Sequence, residues 1–340
     1  MAEIASTMQR LISAGCSSMR VSVGTFNLNN LFSRFNFSAS VDEVADDEGG
    51  MSLEFDSQLG VRVRSFQGRL VKGKDPAETQ TIADRILAMN LDVLAVQEVE
   101  HIEVLKGFNR DYLGGFYPHV ALVEGNDQRL IDVGVLSRLP FGAITSYQAC
   151  VHPEDPDSRV FSRDLLAIEI LNPTRKKKMF TLYNTHLKSR YVPFYEDQEE
   201  GEARANRRRQ QQAEMISEII AAAERPDSSY LLAGDMNDPH DSEFLRPMLT
   251  VEGHALINGL RQPVETRPPK KDTEGPGPQT AAWTYRYNPY GPTPPVYSLI
   301  DQLWLSPRLA EKQVGAFIDR RTLHGGNGSD HDPAWVVLEL

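Results

Sequence analysis

Apolar residues in this chain come in short runs, some alternating with period two and some with the period of a helix. "VSVGTFNLNNLF" (21–32) sets Val21, Val23 and Thr25 on one face and Gly24 and Phe26 on the other, which predicts a strand. In "DPAETQTIADRILAMN" (75–90) the spacing of Ile82, Ile86, Leu87 and Met89 predicts the buried stripe of a helix. Asp75 is placed to cap that helix, Pro76 to open it and Glu78 to complete a capping box. "LDVLAVQEVE" and "DVGVLSRL" (132–139, stopped by Pro140) read as buried strands, and "LLAIEIL" and "KMFTLYNTHLKS" as a strand pair joined by "NPTRKKK". A long helix is expected over 203–224, ended by Pro226. "SYLLAGDMND", "SLIDQLWLSP" and "AWVVLEL" supply the last strands.

Two stretches break the rhythm. Residues 38–74, with "DDEGG" inside, read as an insertion of loops with a hairpin, and residues 261–295, rich in Pro and Gly, as a long surface loop interrupted by "AWTYRY". Residues 1–20 are expected to be an N-terminal tail. Alternating strands and helices with a hairpin between them, and no linker between two halves, point to one α/β or mixed α+β layered domain over 21–340.

Composition narrows the class. The chain has 340 residues, 40% hydrophobic and 24% charged, as expected of a globular protein. Its two cysteines, Cys16 and Cys150, exclude a disulfide framework and a cysteine-based zinc site. No basic start followed by a long apolar core marks a signal peptide, and nowhere do 18 apolar residues run together. A cytoplasmic monomer without a membrane span is the expectation. The formal net charge of −11 argues against binding nucleic acid by bulk charge, though not against an enzyme that meets phosphates through bound cations.

The candidate chemistry lies where buried strands end. The run from Val21 stops at Asn27, "DVLAV" at Gln97-Glu98, "MFTLYNT" at His186 and "YLLAG" at Asp235-Met236-Asn237. Asp330-His331 precedes "AWVVLEL". Asp301 shares a strand face with Leu299, Leu303 and Leu305, where a lone carboxylate is costly to bury. Singly, each is also what a turn, a cap or a hydrogen-bonded core residue uses. Together they place amide and carboxylate oxygens and two histidines at strand ends, where open α/β sheets carry their sites. The oxygens suit a hard cation such as Mg²⁺ or Mn²⁺, and the histidines suit proton transfer or stabilising a negative oxygen. Neither a P-loop nor a G-x-S-x-G elbow is present.

"TFNLNN", "VLAVQEVE", "DVGVLSR", "YNTHLKS", "LLAGDMND", "LIDQLWLSP" and "GSDHDP", in this order from Thr25 to Pro333, resemble the endonuclease/exonuclease/phosphatase superfamily, the DNase I-like enzymes, in its bacterial nuclease-type form. The resemblance implies a four-layer sandwich, two packed mixed sheets flanked by helices, and a divalent-metal-dependent site that hydrolyses a phosphate ester. Asn27 and Glu98 match its metal-binding residues, and Asp330 the aspartate before the catalytic histidine, counted with the metal set. Asp235 and Asn237 match the pair at the nucleophilic water, and His186 the phosphate-binding histidine. Asp301 and His331 match the Asp–His couple, with Asp301 orienting the histidine. Asn237 and His331 are also expected at the substrate phosphate. Arg163 matches a phosphate-contacting arginine more loosely, as Asp132 matches a histidine-orienting acid. One metal, Mg²⁺ or Mn²⁺, is implied, and a second is left open.

The resemblance favours a nuclease acting on DNA or RNA. The acidic net charge keeps a second reading, a phosphatase or phosphodiesterase for a small molecule or lipid headgroup such as an inositol phosphate, nucleotide or sphingomyelin. A non-catalytic binding protein is the remote third, set against intact matches at every core position. The basic run "RANRRRQQQ" reads as a solvated helix face, and Tyr285, Tyr287 and Tyr290 as base-stacking or loop-packing residues.

Overall fold

A computed structural model describes residues 18–32, 65–66, 69–70, 74–127, 129–193, 195–265, 282–287, 294–320 and 328–340. Most of the 1–20 tail and of both insertions, with Tyr290, lies outside them. Within the first insertion Ser65–Phe66 pairs with Arg69–Leu70, and the "TYRY" segment pairs Tyr285–Tyr287 with Val296–Ser298.

The main strands are, in chain order, β1 (Arg20–Leu31), β2 (Val93–Val99), β3 (His119–Leu122), β4 (Asp132–Ser137), β5 (Phe141–Ser146), β6 (Leu165–Leu171) and β7 (Lys178–His186). They continue with β8 (Tyr230–Asp235), β9 (Ile257–Asn258), β10 (Val264–Glu265), β11 (Asp301–Leu305), β12 (Gln313–Ile318) and β13 (Ala334–Glu339). One sheet has the order β10-β12-β13-β1-β2-β4-β3 and the other β9-β11-β8-β7-β6-β5. Both are mixed: β1 runs parallel to β2 and β7 parallel to β8, while β1 is antiparallel to β13 and β8 to β11. The helices are α1 (Pro76–Met89), α2 (Ile102–Asp111) and α3 (Gln198–Ala223).

Three apolar clusters define four layers. Val21, Val23, Val93, Ala95, Ile168, Leu182, Ala233, Leu303 and Val336 fill the space between the sheets. Phe26, Leu94, Val96 and Trp335 turn outward to meet Ile82 and Ile86 of α1 and Leu105 and Phe108 of α2. Leu165, Ala167, Tyr183 and Leu232 face the other way, onto Ala213, Ile216 and Ile220 of α3. The period-two alternation of each strand feeds two of these clusters at once, which is why the strands read as nearly continuous apolar runs. The expected four-layer α/β sandwich is therefore the architecture.

A buried polar seam also joins the sheets. Gln97 donates to Asn184 across the gap (2.8 Å), and Asn184 donates to the carbonyls of Val96 (3.1 Å) and Gly134 (2.8 Å). Being fully satisfied, it fixes the sheets' relative position, which a purely apolar contact would leave free to slide.

The helices correct the sequence reading in three places. Asp75 caps α1 by accepting from Ala77 N (2.7 Å), but Glu78 lies 4.0 Å from the Lys74 amine instead of closing a capping box. Leu87 is 37% exposed, and Arg85 takes an inward place beside Ile82 and Ile86 because Asp319 meets it at 3.0 Å. α3 begins five residues before the expected position 203: Asp197 accepts from Glu200 N, and Glu199 and Glu200 suit the positive end of the helix dipole. No helix among the described residues is long and apolar enough to cross a membrane.

Candidate active site

Strand register assembles the site. β7 and β8 end together, with His186 beside Asp235, and Asp301 opens β11 directly opposite Asp235. Three candidate residues from distant parts of the sequence thus form one row at the sheet's edge. Gly234 makes the end of β8 possible: its φ is +142°, and a Cβ there would stand 1.9 Å from the Thr185 carbonyl oxygen. In the facing sheet Asn27 pairs with Gln97, and β1 bulges immediately beyond it. Of the eight non-glycine residues with positive φ among those described, four ring this edge: Asn29 (47°), Asn30 (59°), Glu98 (60°) and Asn237 (53°). Backbone strain held in such a cluster is a mark of a functional site.

The segment "GSDHDP" docks His331 into that row. Gly328, at φ +74°, lies where a Cβ would meet the Glu78 carbonyl oxygen of α1 at 2.4 Å. Ser329 donates to the Asn27 carbonyl (2.7 Å) and accepts from His331 N (3.1 Å), so it couples the end of β1 to the histidine. Asp332 is buried, with Arg85 at 3.6 Å and Arg320 at 3.4 Å. The second aspartate of the motif therefore anchors the segment and leaves the imidazole for chemistry. His331 Nδ1 lies 2.8 Å from Asp301 Oδ2, and its Nε2 faces Asp235 Oδ2 at 3.9 Å and Asp330 Oδ1 at 3.8 Å. Asp235 Oδ2 also accepts from Asn27 Nδ2 (3.0 Å) and lies 3.4 Å from His186 Nε2, while its Oδ1 accepts from Asn237 N (2.8 Å).

Burial and charge divide these groups by proton affinity. Burial, reinforced by Asp301 and opposed by His331, pushes the Asp235 carboxyl up to about 7. Burial also draws His331 down, but Asp301, Asp330 and Asp235 outweigh it and hold the imidazole well above its ordinary value. His186 is driven the other way, first by burial and then by the charges of Arg163 and His331. The site thus holds a charged histidine, a neutral histidine and a carboxylate with unusual affinity for a proton.

The Endonuclease/Exonuclease/phosphatase family pattern matches residues 24–331. The chain belongs to that family. It is accordingly a metal-dependent hydrolase of phosphate esters. Solved structures of similar fold include an endonuclease/exonuclease/phosphatase from Bacteroides vulgatus (16% identity, TM-score 0.54, 95% of this chain and 99% of that one). An AP endonuclease from Archaeoglobus fulgidus (14%, 0.52, 94% and 100%) and truncated TDP2 from Caenorhabditis elegans (14%, 0.52, 95% and 98%) are others. No curated protein sequence matches the chain.

The donors fit the metal that the family requires. Asp235, Asp301 and His331 bring one ligand atom each within 4.8 Å of one another, all buried, and Asp301 Oδ1 is buried without a hydrogen-bond partner. Carboxylate oxygens with no thiol suit a hard divalent cation, while the charged His331 imidazole lies beside them. Of the expected metal residues, Asn27 lies in this group through Asp235, with its own Oδ1 accepting from Asn29 N (2.9 Å). Glu98 accepts from Asn30 N (3.0 Å) at the rim, and the side chain of Asp330 is 49% exposed.

Three expected residues have different neighbours from those that the sequence suggests. Asp132 does not reach a histidine among the described residues; its Oδ1 accepts from Gly125 N (2.8 Å). Arg163 is 2% exposed, with Asp127 at 3.1 Å and the Leu187 carbonyl at 3.2 Å, so it acts on His186 as a charge from behind. Asn237 spends its side-chain amide on the Leu187 carbonyl (3.1 Å), which makes it a clasp between the ends of β7 and β8. The basic run on α3 is not wholly solvated either, since Arg209 is buried, 3.3 Å from Asp238. Of the two described candidate tyrosines, Tyr285 packs on the His331 ring (centroids 5.2 Å apart) and Tyr287 is 52% exposed.

Sequence reading missed Lys74, whose amine donates to the Asn29 carbonyl (2.7 Å) with Asp330 and Glu98 among its neighbouring charges. It missed Lys188 as well, although "HLKS" sets that residue two positions after His186.

Proposed function

We propose that this chain is a nuclease that hydrolyses phosphodiester bonds of DNA or RNA with Mg²⁺ or Mn²⁺. The observation that carries the chemistry is the arrangement around Asp235: one carboxylate oxygen within 3.4 Å of His186 and 3.9 Å of His331, with His331 backed by Asp301. In this reading Asp235 accepts the proton of the attacking water, which its raised affinity favours. Asn27 and Asn237 hold the carboxylate in place. His331, charged and fixed by Asp301, meets the phosphate oxygen on which negative charge grows. His186, whose Nε2 lies 3.4 Å from the same carboxylate, meets a second phosphate oxygen. The metal, when bound, supplies Lewis-acid polarisation of the phosphate and stabilises the departing oxygen. Asn27, Glu98 and Asp330 would hold it, beside the Asp301 Oδ1 that has no hydrogen-bond partner.

Nucleic acid as substrate is supported by the AP endonuclease, whose fold this chain shares almost end to end. The net charge of −11 favours the second reading, a small or lipid-derived phosphoester. Turnover of plasmid, single strands, nucleotides, inositol phosphates and a sphingomyelin-type diester, each with Mg²⁺, separates the two. Preferred cleavage of polynucleotide supports the nuclease. Turnover of the small esters with polynucleotide left intact refutes it.

A further inference from the structure

Within this acidic chain a group of basic residues adjoins the phosphate histidine. Asp127 is clasped from two sides, by Arg129 (3.2 Å) and by Arg163 (3.1 Å). Arg163 also donates to the Leu187 carbonyl, between His186 and Lys188. Lys188 is held at both backbone ends: its N donates to Gln212 Oε1 (2.9 Å) and its carbonyl accepts from Arg209 (2.9 Å). Arg190, two residues on, is 3.8 Å from Asp238, which Arg209 also approaches at 3.3 Å. Five cations thus converge on residues 186–190, opposed by Asp127, Asp238, the exposed Glu202 beside Arg209, and Glu98 and Asp235 on the Arg163 side.

The Lys188 amine itself has no acceptor among the described residues. Burial and then the charges of Arg163, Arg129 and Arg209 hold it below its ordinary affinity for a proton, with Asp127 opposing. An ammonium fixed among guanidiniums is a poor contribution to folding, because like charges in a half-buried setting repel. It is explained by an anion that arrives with the substrate. Arg129, 56% exposed, stands at the open side of the same group, and its charge also reaches His186.

We propose that Lys188 and Arg129 form a second phosphate subsite beside the reacting one, which takes the flanking backbone phosphate of a polynucleotide strand. The assignment rests on the nuclease reading and deepens it. The reacting phosphate is met by His186 and His331, and the next phosphate along the strand by the cations after β7. Specificity for a chain of phosphates then comes from this segment, not from the net charge of the molecule.

The test compares two substrates with one metal, Mg²⁺, saturating: a short single-stranded oligonucleotide and bis(p-nitrophenyl) phosphate, which carries a single phosphate. Lys188→Met and Arg129→Met should each lower the ratio of kcat/KM, oligonucleotide over small diester, about tenfold, the low end for a charge-assisted contact. The slope of log kcat/KM for the oligonucleotide against log salt should also shrink by about 0.7 per contact removed. A ratio and slope equal to wild type in both variants, with the oligonucleotide still cleaved, would overturn the subsite alone. Wild-type enzyme that hydrolyses the small diester but no oligonucleotide would overturn the nuclease reading, and the polynucleotide assignment with it.

Discussion

His331 Nδ1 lies 2.8 Å from Asp301 Oδ2, although thirty residues separate the two: Asp301 opens β11, and His331 lies three residues before β13. Asp301 has no exposed surface, and its other oxygen has no hydrogen-bond partner. A carboxylate buried in this way is stable only beside a cation, and a charged imidazole keeps its ring fixed only beside such an anion. The pair is therefore one unit. His331→Ala and Asp301→Asn should each remove most of kcat/KM, and the double variant should be hardly slower than the worse single one. Losses that multiply would mean that the two residues work separately.

Asp235 should act mainly in the transition state. Asp235→Asn keeps the shape of the side chain but not its affinity for a proton. Its kcat should fall by about 10²–10⁴-fold, with KM changed much less. Single-turnover kinetics on a phosphodiester give the split, and an unfolding midpoint close to wild type shows that the fold survives. A raised KM with kcat intact would reduce Asp235 to a binding residue.

Local pattern revealed the strand ends but not their partners. Apolar alternation marks β1, β8 and β11, and the polar residue that closes or opens each run is legible because it interrupts that pattern. The row His186–Asp235–Asp301 could be listed from sequence as members, but its order comes from strand register, a long-range property. β5 was not read at all: "FGAITS" is an edge strand with Ile144 46% exposed, so no buried stripe announces it. Local pattern favours Leu87 over Arg85 because the partners of Arg85, Asp319 and Asp332, lie more than 230 residues away. For Asp132 the resemblance alone implies a histidine-orienting role, whereas the Gly125 backbone amide determines its bonding. Arg129 carries no local signal, since a lone Arg in a loop is ordinarily solvated; for Lys188 the signal is its place two positions after His186.

Metal dependence should be complete. Exhaustive chelation is expected to abolish turnover, and Mg²⁺ or Mn²⁺ to restore it. Glu98→Gln should raise the concentration of metal needed for half-maximal activity by about tenfold or more, on the scale of lost metal-site contacts. Titration of metal binding by calorimetry gives the same comparison without turnover. Wild-type affinity in this variant would remove Glu98 from the metal's surroundings.

Asp132 should make the fold less stable as pH rises from about 4 to about 7. Its carboxyl is 1% exposed, one oxygen has no partner, and burial pushes it up to about 7 from 3.8, with Glu124, Asp127 and Asp164 adding to the shift and the Gly125 amide opposing it. The folded state therefore holds this proton more tightly than the unfolded chain does. The resulting stability is full below about pH 4 and is lost as pH rises through about 7. A shift of about three pKa units sets a ceiling of about 4 kcal/mol. Asp132→Asn keeps the acceptor for Gly125 N and has no proton to lose, so its stability relative to wild type should climb between pH 5 and pH 8. Asp164 and Asp235, raised to about 6 and about 7, titrate in both proteins, so to first order they cancel in that difference. Urea unfolding of both proteins at the two pH values measures it. A difference that stays constant would show that Asp132 is ionised in the folded protein throughout, and that its second oxygen has a partner after all.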